Sequence, residues 1–168
     1  MSELPQGSVI GILGGGQLGR MLSVAASRLG YRTHIYEPGA APAGDVAHVV
    51  TTAPYEDEAA LRAFAESVDV ITYEFENVPT AALDLLESLR PIRPNRRALA
   101  VSQDRLTEKD FLTGIGLTTA PYRNVETEAE LPAALEALGA PAILKTRRMG
   151  YDGKGQIRFG DKDQRDWT

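Results

Sequence analysis

Short apolar runs alternate with amphipathic stretches through the first 90 residues of the chain. Val9–Leu13, Thr33–Tyr36, His48–Thr51 and Val70–Tyr73 have the length and borders of buried strands. Between the first two lies a stripe at helical spacing, Leu18, Met21, Leu22, Ala25 and Leu29, closed by Gly30. Leu61, Phe64, Ala65 and Val68 stripe a second helix. Ala82, Leu85, Leu86 and Leu89 stripe a third, which opens at Pro79, a residue suited to a first turn. Strands alternating with helices predict an α/β fold: a parallel sheet with helices on both faces.

The alternation stops at Arg90–Arg97, where two prolines and four arginines predict a connection to a second region. Helices are expected over about 97–103 and 104–113, ended by Gly114 and Gly116. Another helix carries Leu131, Ala134, Leu135 and Leu138. Ala142–Lys145 and Gln156–Phe159 are expected to pair as antiparallel strands. The glycine-rich segment 146–155 between them is too long for a tight hairpin. The boundary falls between residues 103 and 104, leaving a sheet domain over 1–103 and the start of an α+β domain over 104–168.

Composition narrows the function. The 168 residues are 43% hydrophobic and 24% charged, as in an ordinary globular protein. The absence of cysteine excludes a disulfide scaffold, a thiolate metal site and a cysteine nucleophile. No apolar run approaches a membrane span, and the start lacks the basic-then-apolar layout of a secretory signal, so a soluble cytoplasmic protein is expected. Residues 1–84 carry 4 basic and 11 acidic side chains, whereas residues 85–168 carry 14 and 12. With a net charge of −5 and no dense basic face, nucleic acid is a poor partner; the second half suits a small polyphosphate.

Four motifs carry candidate chemistry. Gly14-x-Gly16-x-x-Gly19 follows a strand and opens a helix, with Glu37 ending the second strand, the layout of a dinucleotide fingerprint. A phosphorylated small molecule on the same helix start, held by the Gln17 and Leu18 amides, fits the rest of the chain better than a nicotinamide or flavin. Tyr73–Asn77 leaves the fourth strand at the carboxyl edge of the sheet, where alternation puts Glu74 and Glu76 on one side. Two readings stay open there: carboxylates for an amine or ribose hydroxyl, or a solvated loop with Asn77 capping the next helix. Lys145, ending a strand expected to be buried, needs an anion nearby. The loop after it adds Gly150, Gly153 and Gly155, whose amides can approach phosphate oxygens, together with Arg147, Arg148 and Lys154. In Asp104–Lys109, Arg105 and Lys109 share a helix face, Asp104 can cap the helix, and Glu108 can pair with Arg105 or a neighbour, a solvated charged face being the default reading. His34 and His48 read as structural.

Together, Gly14–Met21, Tyr73–Val78, Asp104–Lys109 and Lys145–Gln156 resemble the N5-carboxyaminoimidazole ribonucleotide synthase family, ATP-grasp ligases of purine synthesis, over residues 8–159. The resemblance implies a Rossmann-like pre-ATP-grasp domain followed by the start of an ATP-grasp domain. It implies ATP as the nucleotide, with Mg2+, and 5-aminoimidazole ribonucleotide and bicarbonate as small-molecule substrates. It further implies a homodimer, with no nucleic acid and no membrane. Arg105, Lys145, Gly150, Tyr151, Asp152, Gly153, Lys154, Gly155 and Gln156 match nucleotide-contacting positions, Lys145 and Lys154 being the catalytic cations. Gly16, Gln17, Leu18, Glu74 and Glu76 match the ribonucleotide-facing side, with Tyr151 and Asp152 approaching from the loop. The formate-dependent glycinamide ribonucleotide transformylases share the architecture but match less well at Tyr73–Asn77 and in the loop. A nicotinamide-dependent oxidoreductase or a non-catalytic nucleotide-binding module are rivals of other classes. Family members are about twice as long, so the sequence is expected to be a fragment, inactive alone, with the magnesium ligands in the absent half.

Overall fold

The computed structural model describes residues 4–150 and 153–160. The chain divides into two compact units, Met1–Ala100 and Val101–Thr168.

The first unit is built on four parallel strands, β1 (Val9–Leu13), β2 (Arg32–Tyr36), β3 (Val49–Thr51) and β4 (Val70–Tyr73), in the spatial order β3-β2-β1-β4. Helix α1 (Gln17–Arg28) connects β1 to β2, and α2 (Glu58–Glu66) carries the chain from β3 to β4. The chain thus leaves β1 in one direction across the sheet and returns to its other side, so a topological switch point opens between the carboxyl ends of β1 and β4. Alternation along the strands divides the core. Leu13, Tyr36 and Ile71 face Leu61, Phe64 and Ala65 of α2 and Ala82, Leu83 and Leu86 of α3 (Thr80–Glu87). Ile12 and Ile35 face the other way, against Ala43 in a 3-10 turn at Pro42–Asp45. Phe64 reaches so far into the sheet that a Cβ on Gly11 would lie 2.7 Å from its ring. Burial of a side chain of this size contributes about 2–3 kcal/mol.

Two expectations are corrected here. The stripe Leu18, Met21, Leu22, Ala25 and Leu29 is not the packed face of α1; Met21 is 59% exposed and Leu29 66%. The buried face is Gly19, Ser23 and Ala26. Small residues win because the helix starts so close to β1 that a Cβ on Gly19 would lie 2.8 Å from the Gly14 carbonyl. The proline-rich stretch is also more than a connection. Ile92 is fully buried and bridges Ile71 in parallel, with the Ile71 amide donating to Pro91 and the Arg93 amide to Ile71, which covers the free edge of β4. The next helix, α4 (Arg96–Ser102), sets Leu99 in the same core.

The second unit holds α5 (Arg105–Gly114), α6 (Leu131–Leu138) and an antiparallel pair, β5 (Ala142–Lys145) with β6 (Gln156–Phe159), in which Lys145 faces Gln156. Asp104 caps α5, accepting from the Leu106 and Thr107 amides at 3.0 and 3.1 Å. Strand β5 alternates half-buried and exposed positions, and Lys145 is exposed. The expectation of a lysine on a buried strand is therefore corrected: among the described residues β5 pairs with β6 alone, which leaves one side of each strand in water.

Candidate functional site

At the switch point of the first unit, the glycine turn after β1 meets the ends of β2 and β4. Gly14 has φ +105°, a conformation open to glycine, and its amide donates to the Tyr36 carbonyl at 2.9 Å. Two carboxylates close on the turn: the Gly15 amide donates to Glu37 Oε2 and the Gly16 amide to Glu74 Oε1, both at 2.8 Å. Glu74 is itself fixed by its backbone amide, which donates to the Leu13 carbonyl at 3.0 Å. The amides that a pyrophosphate would claim are thus already held by anions from the protein, and the surroundings are negative. A pyrophosphate would have to displace these carboxylates to take the Gly15 and Gly16 amides.

Gln17 and Leu18 lie exposed in the first turn of α1, where amides have no carbonyl behind them within the helix. Glu74 and Glu76 are separated: Glu74 locks the turn, whereas Glu76 stays exposed beyond it and takes no part in these bonds. Asn77 does not cap the following helix; the N-cap position of α3 is Pro79, with no side-chain bond. Of the two histidines, His34 fits a structural reading, whereas the side chain of His48 is exposed just ahead of β3. His34 is buried in β2 between Ser67 Oγ (2.7 Å from Nδ1) and Thr51 Oγ1 (2.8 Å from Nε2). Burial lowers its pKa.

Tyr55, just beyond β3, was not singled out by the sequence. Its ring stacks on Tyr36 with centroids 5.5 Å apart, while its hydroxyl is buried and has no hydrogen-bond partner. Burial, then the charges of Glu37 and Glu74, push its phenol pKa well above the ordinary value. A tyrosine among the polar residues after a strand carries no distinguishing pattern in one sequence.

In the second unit, a polar cleft of about 150 Å3 is lined by Arg105, Lys145, Gly150, Gly153, Lys154, Gly155 and Gln156. These are all the predicted nucleotide-contacting residues except Tyr151 and Asp152, which lie outside the described residues. Arg105 does not pair with Glu108; its guanidinium donates to the Gly150 carbonyl at 2.9 Å, tying α5 to the loop. The Arg105 amide donates to the Arg147 carbonyl, and the Arg147 side chain forms a two-pronged pair with Asp104, with its Nη2 2.9 Å from Oδ2. Arg148 turns away to donate to Gln103 at 2.8 Å. Thr146, also not foreseen, holds the root of the loop. Its amide donates to the Gly155 carbonyl, and its hydroxyl occupies the space that a Cβ on Gly150 or Gly155 would need.

No carboxylate lies within ion-pair distance of Lys145 among the described residues. Its charge, with Arg105 and the glycine amides, is of the kind that can neutralise and hold an anion such as a phosphate. The described residues of the cleft offer no carboxylate to a divalent cation, so by themselves they do not fit a metal site. An adjoining hollow of about 140 Å3 runs past Lys109, Tyr122 and Ile143. Lys109 is engaged there by the Ala120 carbonyl at 3.0 Å and by the Tyr122 ring. No helix among the described residues is long and apolar enough to cross a membrane.

Comparison with known proteins gives a consistent picture. Residues 8–103 match the ribonucleotide synthetase preATP-grasp domain, and residues 110–167 the ATP-grasp domain. An N5-carboxyaminoimidazole ribonucleotide synthase of Brucella melitensis is 54% identical over 164 residues, 97% of this chain and 45% of that protein. A Staphylococcus aureus N5-carboxyaminoimidazole synthetase solved with ADP superposes with a TM-score of 0.89 at 41% identity, over 98% of this chain and 44% of that one. The Aspergillus clavatus N5-carboxyaminoimidazole synthase, solved with ADP and 5-aminoimidazole ribonucleotide, gives 0.78 at 32% identity, over 93% and 41%. The chain therefore spans less than half the length of the relatives it matches.

Proposed function

Because the chain belongs to the ribonucleotide synthetase preATP-grasp family, we propose that it supplies the ribonucleotide-facing domain and the triphosphate loop of an N5-carboxyaminoimidazole ribonucleotide synthase. In the reaction proposed, a bicarbonate oxygen attacks the γ-phosphorus of ATP, releasing ADP and forming carboxyphosphate. The exocyclic amine of 5-aminoimidazole ribonucleotide then attacks the carboxyl carbon. Phosphate leaves, the amine loses its proton, and the product is a carbamate. Such chemistry asks the protein mainly to position and neutralise.

The observation that carries this reading is the cleft in the second unit, where two lysines, an arginine and three glycines of a single loop converge. Arg105 and Lys145 contact the nucleotide, and Lys145 and Lys154 neutralise charge developing on the transferred phosphoryl group. Gly150, Gly153, Gly155 and Gln156, with Tyr151 and Asp152, form the flap over the triphosphate. Gly16, Gln17, Leu18, Glu74 and Glu76 are assigned to the ribonucleotide, as are Tyr151 and Asp152. ATP-grasp enzymes use Mg2+ with ATP, and when bound it would offset charge on the phosphates. The reading includes a cytoplasmic homodimer acting on small molecules and on neither nucleic acid nor membrane.

The test is a protein in which these residues replace the matching part of the Brucella melitensis relative. ADP release dependent on both bicarbonate and 5-aminoimidazole ribonucleotide is expected. Release independent of the ribonucleotide would sink the proposal.

A further inference from the structure

Of the three cations in the 146–155 loop, Lys154 lines the polar cleft, whereas Arg147 and Arg148 do not. Both bind instead to the segment that starts α5. The Arg147 Nε lies 3.2 and 3.0 Å from the two Asp104 oxygens, and its Nη2 lies 2.9 Å from Oδ2, a fork on a carboxylate that lysine cannot reproduce. Arg148 donates to Gln103, a residue only 6% exposed. Between Arg148 and Gly150, Met149 is bent to φ +60°, a conformation that a methionine keeps only where its surroundings impose it.

These bonds converge on Arg105. Its amide donates to the Arg147 carbonyl and its guanidinium to the Gly150 carbonyl, both at 2.9 Å. A guanidinium carries five N–H groups, so the bond to Gly150 alone does not exhaust it. The other first-turn amides of α5 are engaged too, Leu106 and Thr107 by the Asp104 carboxylate and Glu108 by the Asp104 carbonyl. What this helix start can offer an anion is therefore the Arg105 side chain. We infer that Arg147 is a positioning residue: paired with Asp104, it holds the loop root on α5 so that the Arg105 guanidinium and Gly150 line one cleft, and it does not itself touch the anion. This rests on the proposed nucleotide site and adds to it the residue that aims one of its cations.

The experiment uses the chain with nitrogen-labelled arginines, the Nε–H signals being assigned with Arg105→Lys and Arg147→Lys. ADP and inorganic triphosphate are the probes, with affinities read by calorimetry at a temperature where every variant is folded. Saturating ADP is expected to shift the Arg105 signal and leave that of Arg147 in place. Arg147→Lys and Arg147→Gln are expected to weaken both probes equally, about 3- to 10-fold, and to move the Arg105 signal before any ligand is added. A loss of stability alone would do neither. If Arg147→Lys binds like wild type while Arg147→Gln does not, or if ADP shifts the Arg147 signal as much as that of Arg105, then Arg147 meets the anion directly and the inference is overturned. Wild-type affinity in both variants would overturn it as well and leave the nucleotide site standing. Failure of the wild-type chain to bind either probe at millimolar concentration would overturn both the inference and the site.

Discussion

Replacing Asp104 by alanine is expected to loosen α5 and the root of the 146–155 loop together, although Asp104 does not line the polar cleft. One carboxylate caps the helix and also holds Arg147, whose carbonyl accepts from the Arg105 amide at 2.9 Å. Loss of the cap costs about 1 kcal/mol. The pair with Arg147 is partly open to water, its side chains keeping 17% and 46% of their exposure, so it adds only about 0.5–1 kcal/mol. A sum of about 1.5–2 kcal/mol corresponds to roughly 10- to 30-fold faster exchange of the Arg105 and Thr146 amides, read by NMR. Asp104→Asn keeps a capping oxygen and is expected to show roughly a third of that effect in free energy. Equal exchange in the two variants, or an Arg105 amide that ignores both, would refute the reasoning. The sign with pH is also fixed. Burial raises the Asp104 carboxyl pKa, but bonds from the Thr107 amide, Arg147 and the Leu106 amide outweigh it and hold the net value below the ordinary one. The stabilisation is full above about pH 4 and lost as pH falls through the lowered folded value, where wild type and Asp104→Ala converge.

Lys145→Ala is expected to weaken ADP binding about tenfold or more by calorimetry, through loss of a charge-assisted contact, while the melting temperature of this exposed position stays put; an unchanged Kd would remove Lys145 from the site. Gly155→Ala is expected to cost about 1–3 kcal/mol, because φ is +66° and the new Cβ would lie 2.5 Å from the Thr146 hydroxyl; denaturant unfolding should show Thr146→Ala recovering part of that loss. His34 is held neutral by burial, so its share of stability is full above about pH 6.5 and falls as pH drops toward its lowered folded value. Denaturation at pH 7 and 5.5 should therefore show a larger loss for wild type than for His34→Gln.

Periodicity was a good guide wherever burial of large side chains decided the structure. Leu61, Phe64 and Ala65 mark the packed face of α2 because the sheet below them is filled by size. The same pattern misled at α1, where close approach to the glycine turn selects Gly19, Ser23 and Ala26, and apolar side chains are left outside. The cleft residues were legible because glycines and cations concentrate in one loop. Glu74 was legible as a site residue but not in its act, since alternation gives a side of the strand and says nothing of a turn folding back onto the carboxylate. Thr146 and Tyr55 left no trace in the sequence: one works by filling the space beside two glycines, the other by lacking a partner, and neither is a pattern along a chain.

The three glycines of the fingerprint are accounted for from within. A Cβ on Gly14 would meet Glu74 at 2.7 Å, one on Gly16 would meet the same carboxylate at 3.1 Å, and one on Gly19 would meet the Gly14 carbonyl. Such a motif records that something comes close to the backbone, and here the visitor is a side chain of the same protein at Gly14 and Gly16 and the turn's own carbonyl at Gly19. Its ancestry and its chemistry can therefore part company. A turn of this build can be inherited unchanged by proteins that never meet a dinucleotide, because a resident carboxylate imposes the same steric veto that a cofactor would.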